Sequence, residues 1–286
     1  MNKWIAGARP RTLPAAIAPV LVGTALIRRE HHSINYMNAL LALAVSLLLQ
    51  IAVNYSNDYS DGVRGTDYNR VGPIRLVASG LATARAVKRA AIICFALACA
   101  LGSVLAVRTS WWLIIVGALC ILAAWTYTGG NKPYGYLGFG EISVFLFFGL
   151  VATVGSYFVQ SHRITWQSIL VSLPVGALSC AILAVNNLRD LPKDSLVGKM
   201  TLAVRLGDKR ARKMFIGLLI LAHLAALLAL FITPWTLITL LFLPVSLKIS
   251  KRVLAGAKGA DLIPTLGQVG KLQLLLSTSL AIALLV

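Results

Sequence analysis

Acidic side chains are scarce in this sequence: nine Asp and Glu stand against 27 Lys and Arg in 286 residues, and only 13% of residues are charged. Soluble chains carry about 25% charge, so a water-facing globular shell is excluded. Cysteine is equally sparse. Cys94, Cys99, Cys120 and Cys180 sit in apolar stretches without CxxC spacing, which favours buried packing over a thiolate metal or redox centre. The histidines are dispersed, His31, His32 and His162 in polar connections and His223 in an apolar run. None stands with the acids, and a zinc site is excluded. The first 11 residues are basic and lack a small-residue cleavage site, so they read as the start of the mature chain rather than a signal peptide. No low-complexity segment or soluble domain interrupts the rest.

What the chain has instead is hydrophobicity, at 58% of residues and a mean hydropathy of +0.81. Apolar runs of about 17 to 22 residues recur along its length, and each matches a hydrocarbon core of ~30 Å. The runs are 12–28, 38–57, 88–107, 110–128, 141–160, 167–188, 213–232, 235–250 and 268–286. The predicted fold is therefore all-α, a polytopic membrane protein with nine transmembrane helices. Lys and Arg collect in the connections, and 23 of the 27 fall on the side of the N-terminus; only Arg28, Arg29, Arg108 and Arg163 fall on the other. The positive-inside rule then places the N-terminus in the cytoplasm and, after nine spans, the C-terminus outside. The same distribution accounts for the net charge of +18 without nucleic acid, because the cations lie in short loops and not on a folded soluble face.

Two inside connections, about 58–87 and 189–212, are longer and more polar than the rest, and long loops in compact domains tend to be functional. They begin alike. NYSND at 54–58 and NNLRD at 186–190 are both Asn-x-x-x-Asp, a weak internal repeat. In the first motif, Asn54, Asp58 and Asp61 are spaced by four and three, which puts them on one helix face with their oxygens able to converge on a cation. Asp67 follows. In the second motif, Asn186 (with Asn187 beside it), Asp190 and Asp194 recur, and Pro192 is expected to end the helix just before Asp194. Six of the nine acids lie in or just after these motifs, and carboxylates near membrane depth are costly unless used. Oxygen-only donors point to a hard cation, and Mg²⁺ bridging carboxylates to a phosphate suits them. Beside the acids stand Arg64, Arg70, Arg75, Lys132, Lys199 and Arg205, the forks and point charges that a diphosphate needs. Tyr127, Tyr134 and Tyr136 offer π faces to a carbocation or an aromatic acceptor.

NYSNDYSDGVRGTD, VGPIRLV, YTGGNKPYGYLGFGE and NNLRDLPKDSLVGKMTLAVRLGD occur in that order, and together they resemble the UbiA-type intramembrane prenyltransferases, within them the branch acting on 1,4-dihydroxy-2-naphthoate. The resemblance begins at GARPRTLPAAIAP and covers nearly the whole chain. It implies one domain over 1–286: four-helix units at about 12–128 and 141–250, a ninth helix at about 268–286, and a central cavity capped by the two Asp loops and open laterally to the bilayer. It further implies Asn54, Asp58, Asp61, Asp190 and Asp194 as catalytic, the four Asp holding Mg²⁺. Arg64, Arg75, Lys132, Asn186, Asn187 and Lys199 would meet the diphosphate, and Tyr127 and Tyr134 the acceptor or allyl cation. The expected reaction transfers a polyprenyl group from its diphosphate to the carboxylated ring carbon, with loss of diphosphate, CO₂ and a proton, giving demethylmenaquinone for menaquinone synthesis. The expected setting is the plasma membrane with the site facing the cytoplasm, lipids as partners, no nucleic acid, and self-association into a homo-oligomer left open. Competing readings are a sister enzyme with another aromatic acceptor, a transporter, and a binder of nucleic acid or anionic lipid. Charges at one membrane face rather than at the midplane weigh against the transporter, and the paired Asn-x-x-x-Asp motifs against the binder.

Overall fold

The computed structural model describes residues 2–30, 32–67 and 72–286; Arg70 and His31 lie outside the described residues. Among those described, every regular element is helical and no strand forms. Asn2 caps α1 (Lys3–Ala8), which stops at Arg9 in the left-handed region (φ 53°). A 3-10 turn, Pro10–Thr12, leads through Pro14 into α2 (Pro14–Arg29), and the two halves meet at 51°. Proline at the start of each piece suits a new helix, where its missing N–H costs nothing.

Next come α3 (Tyr36–Val63), α4 (Ala84–Arg108) and α5 (Trp112–Thr126). A short α6 (Gly140–Val144) runs through a π-helical segment, Phe145–Val151, into α7 (Ala152–Ser161). The second half holds α8 (Trp166–Leu196), α9 (Leu202–Leu228, broken at Gly207), α10 (Leu243–Leu254) and α11 (Leu262–Leu285). Among the described residues six helices or continuous helical runs are long and apolar enough to cross a membrane, seven if the bent α1–α2 pair counts as one span. The other two expected runs are helical but differ from that standard. α5 is apolar and only 15 residues long, about 22 Å at 1.5 Å per residue. Residues 234–254 begin as a 3-10 stretch, Pro234–Phe242, and turn α-helical only at Leu243.

The two longest helices each carry an Asn-x-x-x-Asp motif toward the end that overshoots the bilayer. α3 has 28 residues and α8 has 31, or about 42 and 46 Å against a core of ~30 Å. One expectation is corrected here: α8 runs through Pro192 and ends at Leu196, so Asp194 lies inside the helix. Proline deletes one backbone donor, but the helical bonds beyond it survive, as in the bond from Val197 N to Lys193 O at 3.2 Å.

α8 is the hub. Ala177, Ala181 and Ala184 on it and Ala211, Ala222 and Ala226 on α9 are fully or almost fully buried, in one cluster with Phe215, Leu219, Leu272 and Leu276. Small residues let backbones approach where lipid gives no hydrophobic drive to associate. Outward-facing Leu97, Val104, Ile115, Leu119, Leu122, Leu221 and Leu224 remain exposed, as a lipid-solvated surface requires. Trp111, Trp112, Trp166 and Trp235, all at turns expected outside, are exposed too, where interfacial aromatics sit.

Candidate active site

A cavity of about 700 Å³ opens between α3, α4, α5, the α6–α7 run and α8. Its walls are apolar along Val45, Leu49, Ile121, Phe147, Phe148 and Leu183, and polar where the ends of α3 and α8 meet: Asn54, Asn57, Asp61, Arg75, Asn186, Asn187 and Lys199. Arg9 and Arg11 from the bent N-terminal pair also line it.

The three polar residues of the first motif share a helix face but not a target. Asn54 gives its amide to Ala8 O (2.9 Å) and Thr12 Oγ1 (3.1 Å), tying α3 to the N-terminal segment. Asp58 is fully buried and accepts the main-chain N–H of Leu76 (2.8 Å) and Val77 (3.0 Å), one on each oxygen. Those two bonds strap the following loop onto α3, with Leu76 locked among Tyr55, Val87 and Ala91. In this arrangement Asn54, Asp58 and Asp61 each have different partners. Asp61 alone of the two carboxylates faces the cavity. Its oxygens accept the Tyr136 hydroxyl at 2.6 Å and meet Arg75 Nη2 at 3.4 Å and Lys199 Nζ at 3.7 Å. Burial first, and then the Asp61 charge, push the Tyr136 phenol above its usual range, so it stays a proton donor to Asp61.

The strapped loop delivers Arg75. Its Nε pairs with Asp67 Oδ2 at 2.9 Å, the residue is 7% exposed, and Nη1 is buried with no hydrogen-bond partner among the described residues. A buried guanidinium nitrogen left without an acceptor is costly, and at the head of a cavity it fits an anionic ligand. Lys199 lines the same wall, 4.8 Å from the Tyr136 ring centroid. Arg64 instead donates to the carbonyls of Thr128 and Gly130, clamping the loop after α5, and Lys132 is exposed. Neither lines the cavity.

On α8, Arg189 forks onto Asp190 at 2.8 and 2.7 Å and donates to Asn186 Oδ1 at 2.9 Å. At Gly72 a Cβ would lie 3.1 Å from that guanidinium, so the loop leading to Arg75 passes close over the end of α8. Asn187 donates to Glu141 Oε1 at 3.2 Å. Asp194 is 7% exposed and, like Asp190, stands behind the wall rather than on it. Tyr127 and Tyr134 line the cavity edge-to-face at 5.4 Å, Tyr134 fixed by Ala123 O and Ser143 Oγ.

Among the described residues no three His, Cys, Asp or Glu side chains come together as a metal cage. The donor set still fits Mg²⁺, which keeps most of its waters and binds through one or two carboxylates plus substrate phosphates. Asp61, already drawing cations, is the carboxylate placed to share such an ion with a ligand.

The UbiA prenyltransferase family pattern matches residues 16–266. The chain belongs to the UbiA prenyltransferase family. Curated UbiA relatives include the 1,4-dihydroxy-2-naphthoate octaprenyltransferase of Mycobacterium tuberculosis (strain ATCC 25618 / H37Rv), 50% identical over 99% of this chain and 96% of that one. The enzyme of the same name from Escherichia coli (strain K12) is 44% identical over 73% of this chain and 70% of its own. Among solved structures, the fold is similar to a UbiA homolog from Aeropyrum pernix K1 (TM-score 0.71, 15% identity, 95% and 96% coverage). It is also similar to a UbiA homolog from Archaeoglobus fulgidus bound to DMAPP and Mg2+ (TM-score 0.68, 15% identity, 99% of each chain).

Sequence reasoning named Asp61, Arg75, Lys199, Tyr127 and Tyr134, all of which the cavity gathers. It counted Arg9, Arg11 and Arg189 only as topogenic charges and passed over Asn57, which accepts from Thr128 Oγ1 at 2.8 Å on the wall. Asn57 had a signal, one turn after Asn54. Arg9 had none, because its place depends on a left-handed backbone before Pro10.

Proposed function

We propose that this UbiA-family protein transfers a polyprenyl group from polyprenyl diphosphate to 1,4-dihydroxy-2-naphthoate, releasing diphosphate and CO₂ and yielding demethylmenaquinol, the hydroquinone that a separate two-electron oxidation converts to the expected demethylmenaquinone. The observation that carries the reading is Arg75: a buried guanidinium with an unpartnered Nη1, strapped by Asp58 to the polar head of a long apolar cavity. A diphosphate supplies the acceptors that Arg75 lacks, and an isoprenoid fills the apolar walls behind it. The naphthoate assignment draws its support from the relatives, among them the Mycobacterium tuberculosis enzyme that aligns over 99% of this chain.

In this reading Arg75, Lys199 and Asn186 hold the diphosphate and Asp61 would hold Mg²⁺ with it, while Asp190, forked by Arg189, and Asp194 stand behind the wall. Bound Mg²⁺ neutralises charge on the leaving diphosphate. The arginine and lysine do the same by fixed position, since donors set where negative charge develops need no reorganisation. The allylic C–O bond breaks with its electron pair leaving on the diphosphate. The naphthoate ring carbon bearing the carboxyl group attacks the allyl cation, and loss of CO₂ restores aromaticity. Tyr127 and Tyr134 offer π faces to the cation, and the apolar walls keep out the water that would trap it. Nine spans, a cytoplasmic N-terminus, an external C-terminus and a site at the cytoplasmic face of the plasma membrane complete the proposal. They are supported by the 23-to-4 distribution of cations.

The test is incubation of the purified protein with a polyprenyl diphosphate, Mg²⁺ and a panel of aromatic acids, with the lipid product identified by mass. Demethylmenaquinol should form, detected as itself or as the quinone after oxidation in air, and EDTA should abolish it. A product made only from a different acid would displace the naphthoate assignment, and no prenylated product from any acid would displace the reaction.

A further inference from the structure

Behind the cavity wall lies a carboxylate that the chemistry above leaves unused. Glu141 opens α6 and is 8% exposed; Oε1 accepts Asn187 Nδ2 at 3.2 Å, and Oε2 is buried with no hydrogen-bond partner. No cation among the described residues pairs with it. Tyr127 shares this corner, since a Cβ at the preceding Gly140 would lie 3.0 Å from the Tyr127 hydroxyl. Asn187 and Tyr127 line the cavity; Glu141 does not. Burying a carboxylate in this way is costly, and what it secures is the orientation of one amide. A carboxylate oxygen only accepts, so it takes the NH₂ end of Asn187 and leaves Oδ1 as the free end. With Glu141 absent, the amide presents either end.

An exposed carbonyl oxygen is the wrong group for a diphosphate, which itself only accepts. It is the right group for a phenolic hydroxyl. We infer that Glu141 is a positioning residue that locks the Asn187 amide so that Oδ1 accepts a hydrogen bond from a ring hydroxyl of the aromatic substrate, making the Tyr127–Asn187 corner the acceptor subsite. This reassigns Asn187 from the diphosphate, where the family resemblance places it, and it rests on the prenyl-transfer reading. A hydroxyl donating to Oδ1 also pushes electron density into the ring that must attack the allyl cation.

The test measures KM separately for a hydroxylated aromatic acid and for polyprenyl diphosphate, with thermal unfolding followed in parallel. Glu141→Met frees the amide, and Asn187→Asp sets carboxylate against carboxylate. Each should raise KM for the aromatic acid about tenfold or more, the range for one unpaired buried polar group, while KM for the diphosphate stays within about twofold. The double variant Glu141→Gln with Asn187→Asp reverses the bond, with the Gln amide donating to the Asp carboxylate, and should recover most of the loss. Should Glu141→Met fail to fold, the near-isosteric Gln and Asp set carries the test alone. Equal rises in both KM values, or a double variant no better than Asn187→Asp, would overturn the inference while leaving the reaction intact. A wild-type protein that prenylates no aromatic acid would defeat the reaction itself.

Discussion

At the scale of single residues, the carboxylates of one motif do different work because different groups pack on them. Asp58 spends both oxygens on backbone amides. An Asn there keeps one acceptor and turns an NH₂ toward the second N–H. Asp58→Asn should therefore cost about 1–3 kcal/mol and lower the thermal unfolding midpoint along with turnover, because Arg75 rides on the strapped loop. Asp61→Asn should lose turnover with a midpoint closer to normal than that of Asp58→Asn, since its partners are side chains at the cavity and not the backbone of a loop. Matching melting curves for both variants would refute the division of roles. Arg75→Ala should lower kcat/KM for the prenyl diphosphate about 10²–10³-fold, the effect of removing one anion-stabilising donor, and Arg75→Lys should recover only part of it, a point charge replacing a fork. Lys132→Ala should behave like Arg252→Ala and change the rate little, because Lys132 is exposed outside the cavity. A large loss at Lys132 would mean that the loop after α5 folds inward on substrate.

At the scale of elements, the π-helical segment Phe145–Val151 places Phe147, Phe148 and Val151 on the cavity wall and turns Gly149 to α8. There the two backbones nearly touch: a Cβ at Gly149 would lie 2.6 Å from Gly176 Cα. Backbone cannot give way as a side-chain tip can, so Gly149→Ala should destabilise by about 1–3 kcal/mol, seen as a lower unfolding midpoint in detergent. Gly217→Ala on α9 is the control, with nothing within 4 Å of the added carbon and a better helix former in place. It should leave the midpoint unchanged or slightly raised. Equal effects at the two positions would show that the α8 contact is not tight.

For the whole molecule, the charge distribution makes a prediction about orientation. A reporter fused after Val286 should be active on the external side and one fused at the N-terminus on the cytoplasmic side. Both reporters active on the cytoplasmic side would mean that one of α5 and residues 234–254, the two runs that fall short of a continuous long α-helix, does not cross, and the converse of both results would mean that the charge distribution does not set the orientation.

The sequence by itself determined the solvent, the helical class and the polar end of the bundle, because apolar run length and the placement of Lys and Arg respond to the bilayer directly and need no knowledge of neighbours. It also marked Asp61 and Arg75 as residues of the site, since carboxylates and arginines near membrane depth are rare without a use. Only the tertiary structure decided how the marked residues divide. Spacing puts Asn54, Asp58 and Asp61 on one helix face, but what covers that face comes from elsewhere in the chain. The N-terminal segment takes Asn54, the loop at Leu76 and Val77 takes Asp58, and Asp61 is left to the cavity. The same holds for the cations: Lys132 and Lys199 both follow polar motifs, and only Lys199 is carried back over Tyr136 to the wall. Arg9 enters the site through a left-handed backbone turn, and Glu141 governs an amide on another helix. Both are long-range contacts to which local periodicity carries no signal.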